Sequence, residues 1–234
     1  MPSQSRVLTP AVLLGTIISA TIVLTASADL TNCAPPPAGL VSWWRAETNA
    51  LDEVGGHNGT PYNGVGFAPG EAGQAFVFNG TNSYVEVPDS PALRLTNELT
   101  IEFWVKRQQV VLPEYLLNKG GDWTRGALNY GVAFAAPQYN NMLQFLFAGG
   151  NRGAGSVSDL NWHHCAIVAR NGDADPTFYL DGVPQPITRR EGASTINLYP
   201  STEALHIGAQ LDPAWNYYGK AIMDELSLYS RALA

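Results

Sequence analysis

Residues 74–88, QAFVFNGTNSYVEVP, constrain the fold more than any other stretch. Phe76 and Phe78 alternate with Ala75 and Val77, and Val85 and Val87 alternate with Tyr84 and Glu86. A two-residue period of this kind gives an extended strand one apolar face. Between the two runs lie Asn79-Gly80-Thr81-Asn82, residue types that supply the left-handed backbone of a tight turn. The pattern predicts two short strands joined as a hairpin, and therefore an antiparallel β protein.

The same period recurs along the chain. In residues 99–106, Ile101, Phe103 and Val105 share one face, and Glu102, Trp104 and Lys106 the other. Further strands are predicted near residues 41–44, 115–118, 128–134, 143–147, 162–170, 177–180, 183–187, 204–207 and 223–229. Turn residues separate them, among them Asn171-Gly172-Asp173 and Asp181-Gly182. About a dozen short strands at such spacing point to a sandwich or jelly roll. Low charge (14% Asp, Glu, Lys and Arg) with 23 Gly and 16 Pro also argues against a helical bundle. Trp43, Trp44, Trp104 and Trp162 fall in strands and are expected in the core.

Residues 1–28 read as a secretory signal: Arg6, an apolar run over 11–24, then Ala26-Ser27-Ala28 as a cleavage site. The alternative, an uncleaved membrane anchor, is poorly served by Pro10 and the several Ser and Thr of the run. Cleavage would leave Asp29 as the first residue, with no membrane span, and place the protein outside the cell or in the periplasm. Residues 29–39, with Pro35-Pro36-Pro37, form a stiff linker, and one domain spans 40–234. Removing Arg6 takes the net charge from −7 to −8, and no basic run carries interleaved aromatics. Both facts speak against nucleic-acid binding. Cys33 and Cys165 are the two cysteines. In an exported chain an even count suggests a disulfide, the alternative being two unpaired thiols.

Several segments, in order, resemble the laminin-G-like (concanavalin A-like lectin/glucanase) jelly rolls. They are GLVSWWRAE at 39–47 with Leu51-Asp52 and GHNG at 56–59, the 73–88 segment, LTIEFWVK at 99–106, residues 162–181, and MDELSLYSRAL at 223–233. The resemblance implies an all-β sandwich of two antiparallel sheets. Family members often continue past the closing segment into a short helical tail; here the sequence given stops at Ala234. The fold hosts many activities, so function must be read from sites.

The resemblance also implies that the first and last strands pair, which would bring Asp52 toward Asp224. With Asn58 and nearby carbonyls these offer the hard oxygens that calcium takes, as a structural ion. The alternative is that Asp52 caps a Gly-rich loop and Asp224 ends a strand. Sugar recognition needs aromatic faces beside Asn, Asp or Gln. Two loops offer that mixture: Trp123 with Tyr139 and Asn140, and Asp212 with Trp215, Asn216 and Tyr217. Such aromatics can instead cover the edge of a core. A paired-carboxylate glycosidase on this fold would carry Glu-x-Asp-x-(x)-Glu on one strand, a triplet absent from this sequence. The expectation is a secreted, non-catalytic module for extracellular carbohydrate. The alternative is an adhesion domain that binds a cell-surface protein.

Overall fold

The computed structural model describes residues 36–122, 127–212 and 216–233. The signal segment, Cys33, Trp123 and Trp215 lie outside the described residues. No helix among the described residues is long and apolar enough to cross a membrane.

The strands begin with β1 (Leu40–Trp44), β2 (Thr60–Tyr62), β3 (Gly66–Pro69), β4 (Gln74–Val77), β5 (Tyr84–Val87) and β6 (Glu98–Arg107). They continue with β7 (Glu114–Gly120), β8 (Leu128–Phe134), β9 (Leu143–Phe147), β10 (Gly150–Ala154), β11 (Trp162–Arg170) and β12 (Thr177–Leu180). The last are β13 (Val183–Gln185), β14 (Ile187–Gly192), β15 (Leu205–Ile207), β16 (Ala209–Leu211), β17 (Asn216–Tyr218) and β18 (Ala221–Tyr229). One sheet runs β13-β12-β11-β6-β18-β4-β3, with β1 also on β18; the other runs β14-β10-β9-β8-β7-β15-β5-β2. β16 and β17 form a separate hairpin.

The two sheets face each other across one apolar core. Ile101, Phe103 and Val105 of the first sheet meet Val132, Phe134, Phe145 and Ile207 of the second. The expected pairing of first and last strands is present: β1 lies antiparallel to β18, with Trp43 opposite Ser227.

The 74–88 segment is built of two strands, as its alternation predicts, but it is not a hairpin. β4 pairs with β3 and β18 in the first sheet, whereas β5 pairs with β15 and β2 in the second. The turn carries the chain from one sheet to the other. Asn79 Oδ1 accepts the backbone N–H groups of Thr81, Asn82 and Ser83, and Ser83 Oγ accepts that of Asn79. Phe76 and Phe78 then enter the core from one side, and Val85 and Val87 from the other. Period-2 patterning reports which face is buried and says nothing about which strand is the partner.

The tryptophans divide differently from expectation. Trp44 is fully buried, but Trp43, Trp104 and Trp162 are only partly so and lie on the outer face of the first sheet. Trp104 shares its face with Glu102 and Lys106, and its ring packs 5.2 Å from that of His164. His163 and His164, adjacent in β11, both stay outside the core. Both are half-exposed at the start of β11, and His163 bridges Asp181 (2.8 Å) and Asp159 (3.1 Å).

Candidate functional site

Register places one row of residues straight across the outer face of the second sheet. From edge to edge it reads Glu191, Asn151, Leu146, Gly131, Asn118, His206, Glu86 and Thr60, each opposite the next. In-register neighbours on antiparallel strands point to the same face. Five of the eight carry a carboxylate, amide or imidazole. The adjacent rows, through Phe145 and Val132 or through Ile207 and Val85, turn into the core. At the middle, Leu128, Ala133 and Leu146 form a small apolar cluster on the outer face, with Tyr115 packed against it.

The β16–β17 hairpin lies over β7 and divides this face in two. Gly208 and Gly219 start and end the hairpin. The Gly208 N–H donates to the Leu116 carbonyl, and the Gly219 N–H to that of Gly208. Tyr217 of β17 stacks on Tyr115 of β7, with ring centroids 4.9 Å apart. Gln210 donates to Asp122 at 3.3 Å.

On the β15 side is a cleft of about 420 Å³ lined by Glu86, Glu203, His206, Asp212 and Asn216. Burial pulls the His206 pKa down, against the pull of Glu86, and its Nδ1 is buried without a hydrogen-bond partner. Tyr62 and Tyr84 stack beside it, and Tyr84 meets the His206 ring edge-on at 5.7 Å. On the β9 side is a cleft of about 230 Å³ lined by Tyr115, Tyr139, Gln144, Asn151, Arg189 and Glu191, among others.

The smaller cleft is organised by one chain of contacts. The Arg189 guanidinium carbon stands 3.9 Å from the centroid of the Tyr139 ring. Arg189 Nη2 pairs with Glu191 at 2.7 Å, Glu191 accepts from Asn151 Nδ2 at 3.0 Å, and Gln144 Nε2 lies 3.5 Å from Asn151 Oδ1. Tyr139 ends a 3-10 turn over Pro137–Tyr139, and Asn140 closes that turn in a left-handed conformation. Pro113 and Ala136 add apolar surface.

The structure therefore brings the two predicted loops onto one face, but into different clefts. Tyr139 lines the smaller, next to Asn140, while Asp212 and Asn216 line the larger. Tyr217 stands with Tyr115 between them. Sequence reasoning missed Gln144, Asn151, Arg189 and Glu191. Asn151, Arg189 and Glu191 sit on β10 and β14, which read GNRGA and ITRREG without an apolar alternation to announce them, and Gln144 is the one polar position of the apolar strand β9, LQFLF. Gly153 of β10 has a packing reason: a Cβ there would lie 2.3 Å from the Met142 sulfur.

Of the expected calcium ligands, Asp52 and Asn58 are engaged within their own loop. Asp52 Oδ1 accepts the N–H groups of Trp43 and Val54, and Oδ2 those of Gly55 and His57 together with His57 Nδ1. Burial opposes ionisation of Asp52, but these backbone donors outweigh it and hold its pKa below the usual value. Asn58 Oδ1 is likewise taken, by the Asp52 N–H. Each Asp52 oxygen already accepts two or more N–H donors, so the lone pairs of this carboxylate are taken by its own loop. Asp224 stands opposite Trp104 on β6, with Oδ2 accepting the Ala72 N–H. Its Oδ1 is buried and unpaired, and burial raises its pKa. Among the described residues no group of three or more His, Cys, Asp or Glu is arranged to hold a metal ion. Cys165 is a buried thiol on the core face of β11, with its pKa pushed up by burial.

The sequence profile of the concanavalin A-like lectin/glucanases superfamily matches residues 79–234. The chain belongs to that superfamily. No curated protein sequence matches it. Among solved structures, domain 4 of AbnA, a GH43 extracellular arabinanase of Geobacillus stearothermophilus solved with arabinotriose, is similar. It has a TM-score of 0.64 and 22% identity, over 83% of this chain and 94% of that one. A Trypanosoma rangeli sialidase is similar at TM-score 0.60 and 17% identity, covering 91% of this chain but 34% of the sialidase. The botulinum neurotoxin serotype D/C binding domain follows at TM-score 0.58 and 13% identity, covering 84% of this chain and 50% of that one. At such identities the likeness establishes the sandwich shared by this superfamily and leaves the ligand to each protein's own surface.

Proposed function

We propose that this chain is an exported, non-catalytic carbohydrate-binding module that uses the outer face of its second sheet. The observation that carries the reading is the cleft of Tyr115, Tyr139, Gln144, Asn151, Arg189 and Glu191. It combines aromatic faces, on which sugar C–H groups stack, with amides and a charged pair that match hydroxyls. The similar arabinanase domain having been solved with arabinotriose supports a saccharide ligand.

Adjacent Asp224 and Glu225 do not make a catalytic pair. Asp224 turns to Ala72, while Glu225, at a bulge of β18, accepts from the Trp43 indole N–H at 2.6 Å. No calcium ion is assigned to Asp52 and Asn58 in this reading.

A glycan array, followed by calorimetry on the hits, tests it. Tyr139→Ala should abolish binding and Asn151→Ala should weaken it, with the circular-dichroism spectrum unchanged. Binding that survives both changes sinks the site. A protein partner captured without any glycan signal would replace this reading with the adhesion one. For export, N-terminal sequencing of secreted protein should begin at Asp29.

A further inference from the structure

We infer that the Tyr139–Arg189 cleft selects uncharged saccharides and rejects carboxylated or sulfated ones, an inference that rests on the sugar-binding reading above. Among the described residues that line the cleft, Arg189 is the one cationic residue. Its Nη2 pairs with Glu191 at 2.7 Å, which sets a carboxylate against the guanidinium, and its Nε is buried without a hydrogen-bond partner. One guanidinium face is also covered, by the Tyr139 ring at 3.9 Å. An anionic ligand that reached Arg189 would sit against the Glu191 carboxylate, which Asn151 Nδ2 fixes in place at 3.0 Å. Displacing Glu191 would also strip Asn151 of that partner.

The rest of the face adds repulsion. Glu86 and Glu203 line the neighbouring cleft, where burial keeps His206 toward its neutral form. The whole chain carries −7. Potentials of one sign spread over a face act on an approaching ligand before any contact is made.

For a neutral sugar the same groups are complementary. Glu191 accepts hydroxyl protons, the guanidinium donates, and the Gln144 amide can do both, while the buried Asn151 holds Glu191 in position. Tyr139 is held by Arg189 as a flat stacking surface, and Tyr115 walls the opposite side. The tight local pairing keeps this donor–acceptor array in place without a ligand, so little side-chain freedom is lost on binding.

The test titrates the purified protein with neutral arabino-, xylo-, gluco- and manno-oligosaccharides, and with oligogalacturonate and sialyllactose. At low salt, a neutral member should bind and the acidic ones should bind about tenfold or more weaker. Tyr139→Ala should abolish the neutral binding. Glu191→Gln, which unmasks Arg189, should strengthen acidic binding and weaken neutral binding. A salt series on the unmodified protein needs no variant: neutral affinity should stay constant, and weak acidic binding should rise as salt screens the repulsion. Acidic sugars binding as tightly as neutral ones, or losing affinity as salt rises, would overturn the inference while leaving sugar binding intact. Neutral binding that survives Tyr139→Ala would overturn it for this cleft. Absence of binding to every saccharide would instead remove the sugar-binding reading, and this inference with it.

Discussion

Tyr217 lies flat on Tyr115, with the rings 21° from parallel and 4.9 Å apart, and this stack pins the β16–β17 hairpin across the second sheet. Among the described residues it separates the cleft beside β15 from the cleft beside β9. Tyr217→Ala should remove about 1 kcal/mol of stacking, and lower Tm by about 2–4 °C. Scanning calorimetry checks this, and an unchanged Tm would show that the hairpin is held by other contacts.

Gly208 starts that hairpin at φ +82°, and a Cβ there would lie 2.4 Å from the Phe78 ring. Phe78 is a core residue, so the ring cannot swing into solvent. Gly208→Ala should therefore cost about 2 kcal/mol or more, from the left-handed backbone and from core displacement together. Denaturant titration should show a lower midpoint. A stable Gly208→Ala protein would mean that the hairpin can dock in another way.

Asp52 organises the loop after β1 through four backbone N–H groups and His57. Asp52→Ala leaves those donors unpaired and should cost about 2–4 kcal/mol. Because the folded pKa is lowered, the contribution is present above the unfolded value and is lost as pH falls through the folded one. The stability gap between the native protein and Asp52→Ala should accordingly shrink in acid. A gap that is constant from neutral pH to acid would contradict the role given to the carboxylate.

His163 ties Asp159, in the segment before β11, to Asp181, in the turn after β12. Burial lowers its pKa, but the hydrogen bonds with Asp181 and Asp159 outweigh that, and the net shift is upward. A raised folded pKa means stabilisation that is full below the unfolded His value and lost as pH rises through the folded value. The Tm difference between the native protein and His163→Gln should thus be largest in mild acid and fade toward alkaline pH. A difference that grows with pH would reverse the assignment.

Much of the sandwich was legible in the sequence. The alternation in 99–106 marks Ile101, Phe103 and Val105 as core, and all three are. The observed β8, β11 and β12 begin and end where the apolar pattern does. The family segments fixed the fold class, because their order reflects a buried pattern that few other folds share. Pairing was less legible. The 74–88 segment and residues 183–187 each look like one local unit, yet β4 and β5 separate into two sheets, and so do β13 and β14. A strand's partner depends on hydrogen bonds to distant residues, and the side-chain period does not encode those.

The candidate site was the least legible part. Tyr139 and Asn216 stand out as loop aromatic and amide, and both line clefts. Asn151 and Glu191 are forty residues apart in sequence and become neighbours only through strand register. The sequence by itself determined that this chain must bury alternating apolar rows in an antiparallel sandwich. That follows from the chemistry of each residue and its two-residue period. Only the tertiary structure decided that 74–88 spans two sheets, that Asp52 serves its loop, and that Tyr139, Arg189, Glu191 and Asn151 form one surface. Those outcomes depend on register and close packing between distant segments, which no local pattern specifies.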